Sequence, residues 1–175
     1  SLDTNLYGVQ GDLYQVGILL YQLLGGYLPY EEISWLNKKD RSRYSNEADN
    51  FKRQQIVDEV LRRKITSGRL LDMQSLPIHV EGKLKRVIRR ATNVSLDLRY
   101  KTASEFMADL KKARDESMQW GFIDGFWSTS KTPSYRCSEV KSQIIVEKKI
   151  NAGWRKDGGF KTGNINDAYL YIRSQ

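Results

Sequence analysis

Along the chain, hydrophobic residues fall in blocks whose spacing predicts a series of helices followed by a short β-rich stretch. Residues 12–24 read DLYQVGILLYQLL, with Leu13, Val16, Ile18, Leu19, Leu20, Leu23 and Leu24 spread around nearly the whole helical circumference. A helix that is apolar all round belongs in the middle of a larger protein. Gly25-Gly26 ends it, and Pro29 keeps Leu28 away from helical angles, so the chain leaves extended. The charged stretch from Glu31 to Asn50 reads as a long, partly helical loop.

Ile56, Val57, Val60 and Leu61 then share one face of a helix that stops near Ser67-Gly68. A further helix turns Leu84, Val87, Ile88 and Ala91 inward, which leaves Lys83, Lys85, Arg86, Arg89 and Arg90 as a solvated basic face. Thr102 and Glu105 have the spacing of a capping box, and Ala103, Phe106, Met107, Leu110 and Ala113 follow as a core-facing stripe. Residues 117–137, rich in Gly, Ser and large rings (Trp120, Phe122, Phe126, Trp127), read as a linker. Beyond it, Val140, Ile144, Val146 and Ile150 alternate as in a strand, and Ala168-Tyr169-Leu170-Tyr171-Ile172 is a second strand candidate. Asn151-Ala152-Gly153 and Gly158-Gly159 supply turn material between them. The expected architecture is therefore mainly α over residues 1–116, with a small β-rich appendage over 138–175.

Composition sets wider limits. A chain of 175 residues with 39% hydrophobic content can bury a core. A single cysteine, Cys137, cannot form an internal disulfide, which fits a reducing, cytoplasmic setting. No apolar run approaches the roughly 18 to 20 residues that span a bilayer, so no membrane partner is expected. The formal net charge of +8 favours acidic partners, nucleic acid among them. Lys148, Lys149, Trp154, Arg155, Lys156 and Lys161 place cations around an aromatic ring that could stack on bases, although a plain basic hairpin has the same composition.

The block from Asp12 to Leu24, followed by Gly26 and Leu28-Pro29-Tyr30, resembles the central buried helix of the protein kinase large lobe, in the serine/threonine-type family. Leu84 to Ala91, then Arg99-Tyr100, Ala103, Glu105-Phe106 and Leu110, resemble the last helices of the same lobe. The resemblance implies a partial large lobe that begins after the activation segment. It assigns Asp12 to the carboxylate that holds the catalytic-loop backbone, the reading beside it being an ordinary helix N-cap. It keeps Gly17 as the glycine of the central helix, and it pairs Arg99 with the glutamate of an Ala-Pro-Glu segment that this chain lacks. Two further departures are Ser95-Leu96, where the family has Asp-Pro, and the length of the Glu31 to Asn50 stretch.

Phosphoryl transfer needs a glycine-rich loop, a strand lysine, a catalytic-loop aspartate with its asparagine, and a metal-binding aspartate. None of these motifs occurs in the chain. His79 has no following aspartate and reads as packing; Asp124-Gly125-Phe126 has the order of a metal-binding triplet scrambled and reads as linker. One cysteine and one histidine cannot build a typical four-ligand zinc site. The expectation is a chain with no catalytic residue, cofactor or metal of its own, in which ATP and Mg belong only to a parent kinase and the partner is the remainder of that kinase domain. The alternatives are a pseudokinase-derived interaction module that binds another protein and, more weakly, a basic nucleic-acid-binding appendage.

Overall fold

The computed structural model describes residues 8–129, 132–161 and 163–175. They divide into two compact units, one ending at Leu110 and the other covering Lys111–Gln175.

The first unit is helical. It contains α1 (Val9–Leu23), α2 (Lys38–Asn46), α3 (Asn50–Thr66), α4 (Gly82–Ala91) and most of α5 (Ala103–Asp115), with single 3₁₀ turns at Glu32–Trp35 and Leu96–Leu98. Local chemistry sets most of these boundaries. Asn37 caps α2 by accepting from the Asp40 N–H at 2.9 Å, and Asp49 caps α3 by accepting from the Phe51 N–H at 2.8 Å. Helices α1 and α3 end in the same way. Gly25 and Gly68 adopt φ of +88° and +68°, the Gly25 and Gly26 N–H groups return to the Gln22 and Tyr21 carbonyls, and those of Gly68 and Arg69 return to Ile65 and Lys64. These are Schellman closures, which satisfy carbonyls that the helix end would leave orphaned. In α5 the Thr102 hydroxyl accepts from the Glu105 N–H at 3.1 Å, as the capping box requires, but the Glu105 carboxylate reaches back to the Lys101 N–H.

Packing follows the apolar faces. Helix α1 buries Leu13, Gly17 and Tyr21, and α4 meets it with Val87, Ile88 and Ala91. Gly17 makes close approach possible, because a Cβ there would lie 2.8 Å from both Ala91 Cβ and Thr92 Cγ2. Gly17→Ala should therefore be destabilising. Overpacking costs about 1–3 kcal/mol and the gain in helix propensity returns about 1 kcal/mol, so a thermal melt should show the unit's midpoint falling by several degrees. A separate cluster of Leu36, Ile56, Val57 and Val60 joins the loop after α1 to α3. The buried Asp40 on α2 is ion-paired to Arg63 of α3 at 2.7 Å.

The second unit is an antiparallel meander of β1 (Trp120–Ile123), β2 (Phe126–Thr129), β3 (Tyr135–Val140), β4 (Gln143–Ile150) and β5 (Gly153–Lys156), in that spatial order, followed by helix α6 (Ile165–Ser174). Its core joins Tyr135, Cys137, Val146, Phe160, Ala168 and Ile172. One sheet face is therefore packed beneath α6.

Several expectations change. Among the described residues there are six α-helices and five strands, so the chain is mixed α and β rather than mainly α. The expected linker at 117–137 holds β1, β2 and the start of β3. Asp124 and Gly125, at φ of 52° and 83°, form the two-residue turn of a hairpin, the mirror-image geometry that matches strand twist. The strand expected at Ala168 to Ile172 is helix α6. Asn164 caps it, and Asp167 completes a reciprocal capping box. The stretch from Glu31 to Asn50 holds a 3₁₀ turn and all of α2, in keeping with a partly helical loop.

Candidate functional site

Helix α1 does not bury its whole circumference. Val9, Val16, Leu19 and Leu23 are 54%, 39%, 56% and 84% exposed, and Asp12 is exposed beside them. Steps of three and four residues align these five positions in one narrow stripe, separate from the face that Leu13, Gly17 and Tyr21 bury. Within this chain one side of the helix is packed and a neighbouring side is apolar and open. Asp12 is not the N-cap, since the helix starts at Val9 with Gly8 in the cap position. Its carboxylate has no partner among the described residues. Placed in the first turn, it suits the positive end of the helix dipole.

Arg99 is 7% exposed. Its guanidinium donates to the main-chain carbonyls of Asn93 at 2.5 Å, Gln10 at 3.3 Å and Val94 at 3.5 Å, and it lies over the Tyr14 ring at 4.6 Å from the centroid. It is thus a buried tie between the first turn of α1 and the turn after α4. No carboxylate pairs with it among the described residues. Burial draws the Arg99 pKa down and pushes the Tyr14 phenol up.

Arg90 was expected on a solvated basic face and is instead engaged. It pairs with Glu105 and, at 3.1 Å, with Asp109, and it covers the Tyr100 ring at 4.1 Å. The Tyr100 hydroxyl donates to Asp109 at 3.0 Å. Burial first, and then the Asp109 contact, push the Tyr100 phenol up to about 12. This cluster latches α4 to α5. Arg86 and Arg89 remain exposed, and Arg89 borders a cavity of about 410 Å³ that Tyr14, Leu71, Met73 and Val94 also line. His79 is exposed in the loop before α4 and does not pack in the core.

In the second unit, strand register sorts the candidate cations. Lys148 and Arg155 are directly opposed across β4 and β5, as are Lys149 and Trp154, and Glu147 and Lys156. Alternation puts Lys148 and Arg155 on the face that α6 covers, with Tyr135, Cys137 and Val146, and puts Lys149, Trp154 and Lys156 on the opposite face. There Arg136, which the sequence reading did not single out, is stacked between Phe126 at 4.0 Å and Trp154 at 4.7 Å and ion-paired to Glu147 at 2.7 Å. The proposed partner-binding set is therefore split between two faces, although all five residues lie on one hairpin. Lys161 is exposed in the segment after β5. Cys137 is buried in the sheet core, where burial pushes its thiol up to about 11, which suits packing rather than nucleophilic work.

Among the described residues no group of three or more His, Cys, Asp or Glu side chains is placed to hold a metal ion, and no helix is long and apolar enough to cross a membrane. No family model matches the chain, and no curated protein matches it either.

Proposed function

We propose that the first unit is the C-terminal portion of a serine/threonine-type protein kinase large lobe, which on its own catalyses nothing. The observation that carries this reading is the stripe on α1, a row of exposed aliphatic side chains interrupted by one carboxylate that has no partner among the described residues. A row of aliphatics suits a further helical layer, and a carboxylate within it suits a loop whose backbone N–H groups need an acceptor. The resemblance assigns that loop to the catalytic loop. Arg99 supports the same reading, since its buried guanidinium bonds to main-chain carbonyls and stacks on Tyr14 with no carboxylate partner among the described residues, which leaves room in its charge balance for the glutamate that the family places against it. ATP and Mg would be held by the part of the parent protein that carries the missing motifs, and no residue of this chain is given a role in holding them.

The test is to express the reading frame with the codons that precede Ser1 and to follow transfer of the ATP γ-phosphate to casein. The expected result is measurable transfer that drops about 100-fold in Asp12→Ala, because a displaced catalytic loop misplaces the reacting groups. Upstream codons without a glycine-rich loop and a catalytic-loop aspartate would overturn the reading. A recognisable lobe that transfers no phosphate would instead favour the interaction module, with the same stripe seating another protein.

A further inference from the structure

The β4–β5 hairpin of the second unit carries charge that its own fold does not neutralise. Lys148 and Arg155 face each other in register on one side of the sheet, an arrangement of like charges that works against strand pairing. Lys149 and Lys156 project from the other side and are exposed. None of these four cations forms an ion pair among the described residues. Of the acids on or next to the hairpin, Glu147 is paired with Arg136 at 2.7 Å, and Asp157 accepts from the Gly159 N–H at 2.9 Å and forms no ion pair with any of the four. Strand β5 is also the edge of the sheet, bonded only to β4. Trp154, in the middle of it, is partly exposed, and its ring is held by Arg136 and by Lys149, whose Nζ lies 5.9 Å from the centroid.

We propose that this hairpin edge binds single-stranded nucleic acid, with the phosphates met by Lys148, Lys149, Arg155 and Lys156 and a base stacked on Trp154. The placement of the cations on both faces of one edge decides among polyanions. A lipid surface is flat and can meet only one face at a time, whereas a flexible phosphate chain can bend around an edge. An unpaired strand also offers a base the Trp154 ring, which a duplex with its bases stacked inside does not exploit. The Arg136 and Glu147 pair acts as scaffold: it holds the ring in place and contributes no net charge. This inference stands on the second unit alone and is independent of the kinase reading.

The experiment is fluorescence anisotropy of a labelled 12-nucleotide oligo-U with the whole 175-residue chain, titrated from 50 to 200 mM salt. Neutralising four phosphates of a single strand, with release of their counterions, should weaken binding by about 50-fold over that range. The double variant K149Q/K156Q should bind more weakly and show a shallower salt dependence, while K38Q/K39Q, two exposed cations on α2, should behave as wild type. Trp154→Leu should lose about tenfold in affinity with the salt slope unchanged, and Trp154→Phe should recover part of it. A circular dichroism melt of each variant checks that the sheet remains folded. Four results would each overturn the proposal: no saturable binding at 50 mM salt, equal weakening by the α2 control, a duplex bound as tightly as the single strand, or displacement of the oligonucleotide by phosphatidylserine vesicles at matched charge.

Discussion

Tyr21→Ala should lower the stability of the first unit by about 4 kcal/mol, and Tyr21→Phe by about 1.5 kcal/mol, when the helical signal at 222 nm is followed through urea denaturation. The ring is fully buried among Leu76, Val80 and Ile88. Gly26 is laid against it so closely that a Cβ there would come within 2.5 Å of ring carbons. Truncation removes that packing and leaves a cavity at the junction of α1 with the loop before α4. The hydroxyl adds a second, smaller contribution. It lies 2.6 Å from Ser75 Oγ and within donating range of the Tyr27 and Asp72 carbonyls, at 3.1 and 3.0 Å. The phenylalanine variant keeps the ring and loses only this network, so the two substitutions divide packing from hydrogen bonding. Equal losses in the two variants would mean that the hydroxyl, and not the ring, secures the junction.

Arg99→Ala is expected to cost about 3 kcal/mol, since it leaves buried carbonyls on two segments without their donor. Arg99→Lys should recover little of the loss. A lysine keeps the charge but cannot reach Gln10 on one side and Asn93 on the other with a planar fork, nor stack flat on Tyr14. The local readout is amide exchange: Gly11 and Asp12, whose N–H groups bond to the Gly8 carbonyl, should lose protection before the rest of α1. Unchanged exchange there would show that the tie to α1 carries no load. In the proposed parent kinase, the same substitution would also remove the partner of the family's glutamate.

Much of the helical unit was legible in the sequence because its signals are local. The helix of Ile56, Val57 and Val60 was read correctly to its end, since Gly68 at positive φ and the apolar spacing point to the same place. Phe106 and Ala113 face inward as the 3.6-residue period requires, whereas Met107, one position from Phe106, is 57% exposed. The apolar character of α1 was legible too, but composition alone could not tell which sides find partners within the chain. The second unit was misread where different signals compete. Ala-Tyr-Leu-Tyr-Ile has strand propensity, yet the Asn164 and Asp167 box starts a helix and Ala168, Tyr169 and Ile172 then bury one face. Asp124-Gly125 between aromatic pairs was the available hairpin signal, and the density of glycine and serine around it concealed it. The β3–β4 turn had no such signal. Lys141 and Ser142 both adopt positive φ, a conformation that their side chains do not favour. The role of Arg90 depends on acids 15 and 19 residues away, which no local pattern reveals.

The order of strands in the second unit has a kinetic consequence. Each strand pairs only with its neighbours in sequence, and three of the four hairpins close across two residues. Little chain entropy is spent before the first native contacts form, so the sheet can zip hairpin by hairpin on a microsecond-to-millisecond scale, and docking of α6 is the step with the longest search.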